Sequence, residues 1–234
     1  MSQLQDSVIR TDESADSLGC LSNLEALLQI VGNVSGLDIL DVGCGDGTIV
    51  RELIRLGAHA TGIDPHLVPG HPAELVRASA AAIPMPSASF DVVSFVFSLH
   101  HVPRQALEAS LSETRRLLRE GGKLYVAEPI TKGPFQYLIE PFHDETQARA
   151  DAARAMRDYL QSGFGEMRTF LYTERRIFSS FEAFVARMCA KTRINEYKDH
   201  QVRTPEVRRR FDELFVRFGG TLDQPVKVSF YSRS

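Results

Sequence analysis

The pattern of apolar and polar positions predicts a sheet covered by helices on both faces. Apolar runs typical of buried strands alternate with stretches in which apolar residues recur every three to four positions, as in helices that pack on a sheet. The predicted strands cover residues 37–42, 58–64, 74–79, 90–97, 124–129, 163–178 and 226–231. The predicted helices cover residues 18–31, 49–56, 104–119, 143–161, 179–188 and 204–218. This alternation indicates an α/β fold with a mostly parallel sheet.

A glycine turn lies between the first of these strands and the helix that follows it. Gly43, Gly45 and Gly47 occupy alternate positions, and Asp41 stands two residues before the first of them. Glycines permit a tight turn and the close approach of a ligand, while the start of the helix presents free N–H groups. A dinucleotide-binding turn would have its third glycine at position 48, which is Thr48. The alternative is a helix-packing turn that binds nothing.

The second predicted strand ends in another acid, Asp64, at the distance from the glycine turn that doubly wound sheets favour. A carboxylate at this place accepts hydrogen bonds from the two hydroxyls of a ribose, because it offers two acceptor oxygens. The alternative is a turn acid that leads into Pro65.

Two histidines, His100 and His101, follow the fourth predicted strand together with Ser98. Ligands of open α/β sheets bind at the carboxyl ends of the strands, so these residues are expected to face a ligand. An imidazole takes up a proton near neutral pH, which makes both histidines candidate general bases. Alternatively, they cap the next helix or pack on the strand. No metal site is expected, because no third ligand is close in the sequence.

The order of these motifs resembles the class I S-adenosylmethionine-dependent methyltransferases, in particular their small-molecule, methyltransferase type 11-like branch. The nucleotide loop of that family reads acid-x-Gly-x-Gly-x-Gly, and residues 41–47 match it at each fixed position. The run Leu-Leu-Arg-x-Gly-Gly-x-Leu over residues 117–124 also matches, and the resemblance extends from about residue 34 to 129. It departs at Ser79, where the family usually has an acid that contacts the adenine amino group. Residues 98–101 also lack the Asn/Asp-Pro-Pro-aromatic motif of enzymes that methylate nucleic-acid amines.

The resemblance implies a Rossmann-like, doubly wound, seven-stranded sheet with an antiparallel last strand and a helical lid inserted after strand 5. It implies S-adenosylmethionine as cofactor and direct in-line transfer of its methyl group to an O or N atom of a small molecule. The expected cofactor-binding residues are Asp41, Gly43, Cys44, Gly45, Gly47, Asp64, Pro65, Ser79, Ala80 and Ser98. The expected substrate-binding residues, in the inserted segment, are Tyr137, Glu140, His143 and Asp144. Any one of these four is equally compatible with a solvated or capping role in a helical hairpin.

One domain is expected over residues 1–234. Its expected parts are a flexible N-terminus (1–16), a cofactor-binding core (18–129), a lid or substrate segment (130–165), and C-terminal strands and helices (166–234).

The composition indicates the cellular compartment expected for the protein and the classes of molecule that it is expected to bind. The three cysteines are far apart and form neither a disulfide framework nor a zinc cluster, and no apolar run has the length of a membrane span or a signal peptide. These features favour a cytoplasmic protein. The net charge of −3 gives no basic footprint for nucleic acid, and we interpret Arg208–Arg210 as a solvated helix face. The expected partner is a small-molecule substrate, with the chain a monomer or homodimer. The alternatives are an RNA- or protein-modifying methyltransferase and a non-catalytic S-adenosylmethionine-binding module.

Overall fold

The computed structural model describes residues 15–160, 164–190 and 197–233. Within these ranges one sheet contains eight strands, ordered β1-β7-β8-β6-β5-β2-β3-β4. Neighbouring strands are parallel, except that β8 runs antiparallel to both β6 and β7. The strands are β1 (Asp16–Cys20), β2 (Asp38–Val42), β3 (His59–Ile63), β4 (Leu75–Val76), β5 (Phe90–Val96), β6 (Leu118–Pro129), β7 (Phe164–Glu174) and β8 (Gln224–Arg233).

Helices cover both faces of this sheet. They are α1 (Asn23–Val31), α2 (Thr48–Arg55), α3 (Leu107–Leu117), α4 (Pro134–Ile139), α5 (Thr146–Leu160), α6 (Phe181–Cys189), α7 (Asp199–Val202) and α8 (Pro205–Phe218). Short 3₁₀ turns cover Leu99–His101 and Arg104–Ala106. None of the helices described here is long and apolar enough to cross a membrane.

The period-two alternation of the central strands divides the core between the two faces. In β5, Val93 and Phe95 pack with α3 and α5, whereas Val92 packs with α1 and α2. A third cluster, rich in aromatic side chains, joins α4, α6 and α8 beside the carboxyl ends of the strands. The segment expected to be a lid, residues 130–165, therefore contributes α5 to the main core and α4 to this third cluster.

The edge of the sheet next to β7 differs from the expectation, because β1 adds an eighth strand, parallel to β7. The seven-strand count and the predicted helix from residue 18 are both wrong on this point. The helix begins at Asn23 because Ser22 and Glu25 form a capping box, in which Ser22 N donates to Glu25 Oε2 (2.7 Å) and Glu25 N donates to Ser22 Oγ (3.2 Å). Leu18 and Leu21 continue the apolar spacing of the helix, which made the strand look helical. Of the expected flexible terminus, residues 1–14 lie outside the described ranges.

Candidate active site

A cavity of about 750 Å³ opens at the carboxyl ends of the parallel strands. Its size lies within the range of small-molecule and cofactor sites. One wall is formed by the glycine turn, the end of β3 and residues 78–80, and the other by residues 97–103, the segment from Phe135 to Arg149, and residues near Arg176 and Gln224. The main sheet and the inserted segment therefore enclose the same space.

The glycine turn after β2 fits tightly against the end of β5. Gly43, Gly45 and Gly47 all have left-handed backbone conformations, with φ of 76°, 57° and 77°. A Cβ on Gly43 would lie 2.4 Å from the Cβ of Ser98, so only glycine allows this approach. The hydroxyl of Ser98 donates a hydrogen bond of 2.5 Å to the carbonyl of Val42, which fixes the two strand ends together.

Three of the predicted cofactor residues lie behind the turn and do not line the cavity. Asp41 is buried and accepts a hydrogen bond of 2.8 Å from the hydroxyl of Ser94; burial raises the pKa of Asp41 to about 6. Cys44 packs against Gly62, and burial raises the pKa of its thiol to about 12. Gly47 packs against Leu75. These residues shape the turn from within.

The remaining predicted cofactor residues face the cavity. They are Gly43, Gly45, Asp64, Pro65, Ser79, Ala80 and Ser98. The carboxylate of Asp64 accepts hydrogen bonds from the backbone N–H of Gly45 (3.1 Å) and of His66 (2.7 Å), one on each oxygen. Because each carboxylate oxygen has a second lone pair, Asp64 remains able to accept from two ligand hydroxyls. The residues present therefore fit the ribose of a nucleoside cofactor.

Ser79, which stands where the family usually has an acid that contacts the adenine, also faces the cavity. Its hydroxyl accepts the N–H of Ala81 at 3.2 Å and so keeps its own hydrogen for a further partner. The position thus offers a neutral donor where the family usually places a carboxylate.

A cluster of imidazoles and carboxylates forms the opposite end of the cavity. The His100 ring is 2% exposed; its Nδ1 is ion-paired with Glu128, and its Nε2 lies 3.4 Å from Glu145 Oε1. His101 Nδ1 lies 3.6 Å and His143 Nε2 3.0 Å from the same oxygen. We call Glu128, Glu145 and these three histidines the His–Glu cluster. Arg149 donates to the other oxygen of Glu145 at 2.5 Å.

The pKa values of the two adjacent histidines are shifted in opposite directions. Burial disfavours the charged form of His100, but the carboxylates of Glu128 and Glu145 outweigh burial and raise the pKa of His100 to about 9. Burial and the neighbouring His100 lower the pKa of His101 to about 4. For Glu145, hydrogen bonds and charge from His100 and His143 overcome burial and hold its pKa below the usual range.

The four predicted substrate residues divide into two pairs. His143 and Asp144 line the cavity, and Asp144 also accepts the N–H of Thr146 at 3.0 Å. Tyr137 and Glu140 are not part of the cavity lining, and their expected role as substrate contacts stays a prediction. Arg210 of α8 holds both: its Nη1 donates to the carbonyl of Tyr137 (2.7 Å) and to Glu140 (3.1 Å), and its guanidinium lies 4.4 Å from the centre of the Tyr137 ring.

The predictions from sequence do not include several residues of the cavity wall, nor Glu128, which lies behind the wall and pairs with His100. Glu128 stands at the end of a predicted strand, which is the same signal that identified Asp64 and would have identified Glu128 as well. Glu145 was interpreted only as a favourable charge at the start of a helix. Arg176 and Gln224 are buried and come from segments far along the chain, so no local pattern marked them.

Comparison with known proteins gives the fold and its class. Residues 40–126 match the protein family described as "Methyltransferase domain". The chain is 34% identical over 119 residues to a ubiquinone biosynthesis O-methyltransferase of Nitrosococcus oceani (46% of this chain, 49% of the relative). It is 32% identical over 112 residues to a demethylmenaquinone methyltransferase of Tropheryma whipplei (44% and 46%). The matches thus span about half the length of these relatives.

Solved structures share the fold at lower sequence identity. The YcgJ protein of Bacillus subtilis superposes with a TM-score of 0.57 at 11% identity, over 90% of this chain and 98% of that one. The family match covers the glycine turn, Asp64, the two histidines and the strands that carry them, and the structural match extends over most of the chain. Residues 40–126 therefore form a methyltransferase domain of the class I S-adenosylmethionine-dependent type.

Proposed function

We propose that this protein transfers a methyl group from S-adenosylmethionine to an oxygen or nitrogen atom of a small molecule. One observation carries the proposal: a single cavity is lined by the nucleoside-binding end, with the glycine turn and Asp64, and by the three histidines and Glu145 of the His–Glu cluster. The bound cofactor supplies an electrophilic methyl group on a sulfonium whose leaving thioether is neutral. Catalysis therefore needs alignment of the acceptor atom more than acid assistance to the leaving group.

The cofactor end of the cavity positions the donor. Asp64 accepts hydrogen bonds from the ribose hydroxyls, and its own bond to the N–H of Gly45 ties that carboxylate to the turn. Ser79 and Ala80 face the adenine edge, while Gly43 and Gly45 let the ligand approach the backbone. The strand ends that carry these residues are buried and hydrogen-bonded, so the donor site is preorganised.

The acceptor end of the cavity is the His–Glu cluster, where the acceptor loses its proton. Both ring nitrogens of His100 face carboxylates and its side chain is 2% exposed, so His100 positions the cluster. The His101 side chain is 40% exposed and is the imidazole that an acceptor can contact directly. His143 and Asp144 complete this wall.

One relative, which is named for O-methylation in ubiquinone biosynthesis, favours a hydroxyl of a quinone precursor as the acceptor. An O-methyltransferase acting on a phenol requires deprotonation of that phenol, and the polar cluster supplies the groups for it.

Cofactor binding tests the donor half of the proposal. Asp64→Ala removes the ribose acceptor and the anchor of the Gly45 N–H, so we expect a loss of roughly 1–3 kcal/mol in S-adenosylhomocysteine affinity. Isothermal titration calorimetry measures the change, and Glu52→Ala, at an acid that pairs with Arg55 on the same helix α2, serves as the matched control. Equal affinities for Asp64→Ala and the unmodified protein would contradict the ribose role.

Turnover tests the acceptor half. The full chain is incubated with S-adenosylmethionine and a panel of phenols, amines, carboxylates and quinone precursors, and release of S-adenosylhomocysteine is measured. We expect turnover with hydroxylated aromatic compounds, and a larger loss of turnover than of cofactor affinity in His101→Gln. Saturable cofactor binding with no product across the panel would instead favour a binding module or another chemistry.

The fold supports other chemistry too: a solved structure of comparable likeness, with a TM-score of 0.50, is the [4+2]-cyclase SpnF.

The run Arg208–Arg210 on α8 is the surface feature that could indicate a nucleic-acid substrate, but its charge pairing does not favour one. Arg208 pairs with Asp212, Arg209 with Glu206 and Glu213, and Arg210 with Glu206 and Glu140. Their charges are therefore balanced on the protein itself. Tight, salt-sensitive binding of bulk RNA in a gel-shift assay would reverse this conclusion.

A further inference from the structure

We propose that His100, His101 and Glu145 bind a divalent transition-metal ion of the zinc class at the acceptor end of the cavity. Sequence reasoning expected no metal because no third ligand lay close to the two histidines. The fold supplies that ligand, since Glu145 from the start of α5 meets the strand-end histidines. The three donor atoms, one from each residue, lie within 4.8 Å of one another.

The spacing of the donor atoms suits a metal centre. His100 Nε2 and His101 Nδ1 lie 3.4 and 3.6 Å from Glu145 Oε1. Zinc binds nitrogen and oxygen at roughly 2.0–2.2 Å, so two ligands at a tetrahedral angle stand about 3.4 Å apart. The imidazoles and the carboxylate therefore need only small movements to share one ion. His143 Nε2, at 3.0 Å from the same oxygen, is close enough to assist as a further donor or hydrogen-bond partner.

The groups around these donors hold them in place. His100 uses its other nitrogen, Nδ1, to bind Glu128, which is the carboxylate–histidine arrangement that orients metal-binding imidazoles. Arg149 occupies Oε2 of Glu145 and leaves Oε1 directed at the histidines. The side chains of His100, Glu145 and Arg149 are all at most 12% exposed, so this arrangement is packed rather than solvated.

Hydrogen bonding alone satisfies this cluster poorly. Three ring nitrogens converge on one carboxylate oxygen, which has two lone pairs and already shares its carboxylate with Arg149. When His100 is neutral, as it must be to bind a metal ion, the carboxylates of Glu128 and Glu145 carry two negative charges against the one positive charge of Arg149. A divalent cation balances that charge and satisfies the ring nitrogens together.

The ion would act on the acceptor molecule. This catalytic role rests on the proposed methyl transfer, whereas the binding of the metal ion does not. Three protein ligands leave a coordination position open toward the cavity, as in catalytic zinc sites. An acceptor hydroxyl bound there has its pKa lowered, so the methyl-accepting oxygen is an anion held in a fixed position. In this state His101 would be a ligand and could not take the proton, so the ion would promote the loss of the proton to solvent at the open side of the cavity. The methyl group would then pass from the sulfonium to the oxygen and leave a neutral thioether behind. The geometry therefore selects hydroxyl-bearing acceptors.

Metal titration tests the site independently of any substrate. The full chain, freed of affinity tag and stripped with a chelator, is titrated at pH 8 with Co²⁺, followed by its visible ligand-field absorption, and with Zn²⁺ by calorimetry. We expect one ion per chain and a tetrahedral or five-coordinate Co²⁺ spectrum. His101→Gln and Glu145→Gln should each weaken binding at least tenfold, and Glu128→Gln by about 10–100-fold, the usual effect of losing an orienting partner. His59→Gln, on an exposed residue at the other end of β3, is the control that should bind as the unmodified protein does.

Several results would overturn the site. These are the absence of saturable binding of either ion, or affinity unchanged in both His101→Gln and Glu145→Gln. Because the Glu145 side chain is only 12% exposed, retention of S-adenosylhomocysteine binding checks that its variant is folded, and the half-exposed His101 provides the second variant. Turnover that survives complete metal removal would overturn the role of the ion in catalysis. Metal binding without turnover on any acceptor would leave the site intact and contradict the methyl-transfer proposal.

Discussion

At the scale of single residues, contacts between strand ends decide which positions in the glycine turn are constrained. All three glycines have positive φ, but their surroundings differ. Gly43 lies against Ser98, whereas a Cβ on Gly45 would meet no described atom within 4 Å. The same sequence spacing thus contains a glycine required by packing and one required chiefly by backbone conformation.

This difference gives a prediction. Gly45→Ala should cost about 1–2 kcal/mol of folding free energy through left-handed strain, whereas Gly43→Ala should cost roughly 1–3 kcal/mol more because its methyl overlaps Ser98. Urea denaturation of both variants measures the difference. The double variant Gly43→Ala/Ser98→Gly removes the overlapping Cβ and should recover part of the loss. Equal costs for the two single variants would show that the overlap is relieved without strain.

The residues of the candidate site were predictable to the extent that their roles depend on local order. The turn at Gly43 to Gly47 and the strand-end acid Asp64 have a fixed spacing, so the sequence identified them. The roles of Tyr137 and Glu140 depend on Arg210, some seventy positions later, and Glu145 depends on the packing of α5 against the strand ends. A periodic pattern of apolar residues gives no information about contacts between residues so far apart in the chain.

At the scale of secondary-structure elements, the boundaries depend on which side chain caps the backbone. The sequence alone predicts a cap of α6 at Ser179, because Glu182 follows three residues later as in a capping box. In the structure Ser180 is the N-cap, and its hydroxyl accepts the N–H of Ala183 at 3.1 Å. The spacing to Glu182 favours the other serine, but the backbone decides the position of the cap, and it is extended at Ser180 (φ −163°, ψ 167°). The element was predictable, but its first residue was not.

These two serines form a matched pair for measurement. Ser180→Ala should lower the free energy of unfolding by about 1 kcal/mol, because one N–H at the start of α6 loses its acceptor. Ser179→Ala, also on the exposed surface, should change it by less than about 0.5 kcal/mol. Chemical denaturation at 25 °C compares them directly. A larger effect at Ser179 would place the cap where the sequence had suggested.

At the scale of the whole molecule, the alternation of apolar runs and amphipathic stretches was enough to predict the α/β sheet and its order of elements. The edge strand β1 escaped prediction because it is short, and Leu18 and Leu21 fit a helical spacing equally well. Edge pairing depends on the position of β7, which is more than 140 residues away in the chain. A short strand that pairs over such a distance leaves little local signal.

The stability of the whole fold should depend on pH through Asp41, which is buried in the central sheet. Its pKa rises from 3.8 to about 6 because burial disfavours the carboxylate. Below about pH 4 the folded and unfolded chains both hold this proton, so there is no penalty. Between pH 4 and 6 only the folded chain holds it, and stability falls as pH rises; above 6 the loss is complete, at about 3 kcal/mol.

Asp41→Asn removes this dependence while keeping an oxygen that accepts from Ser94. The difference in unfolding free energy, variant minus unmodified protein, should therefore increase by up to about 3 kcal/mol between pH 4 and 7. Denaturation at a series of pH values measures it. Asp46→Asn, at a carboxyl whose pKa is lowered by hydrogen bonds from Thr48, should change in the opposite sense. A difference that stays constant for Asp41→Asn over this range would contradict the assignment.

The position of Glu145 has a consequence for protein engineering. In enzymes that share this architecture, the segment between β6 and β7 can be exchanged between relatives in order to change which acceptor is methylated. Here that stretch also carries Glu145 and Arg149, whose partners His100 and His101 stay behind in the recipient half. A chimera that omits Glu145 would leave His100 paired with Glu128 alone and would remove the carboxylate beside His101. Grafts into this scaffold should therefore retain that glutamate, or transplant the histidine turn together with the foreign stretch.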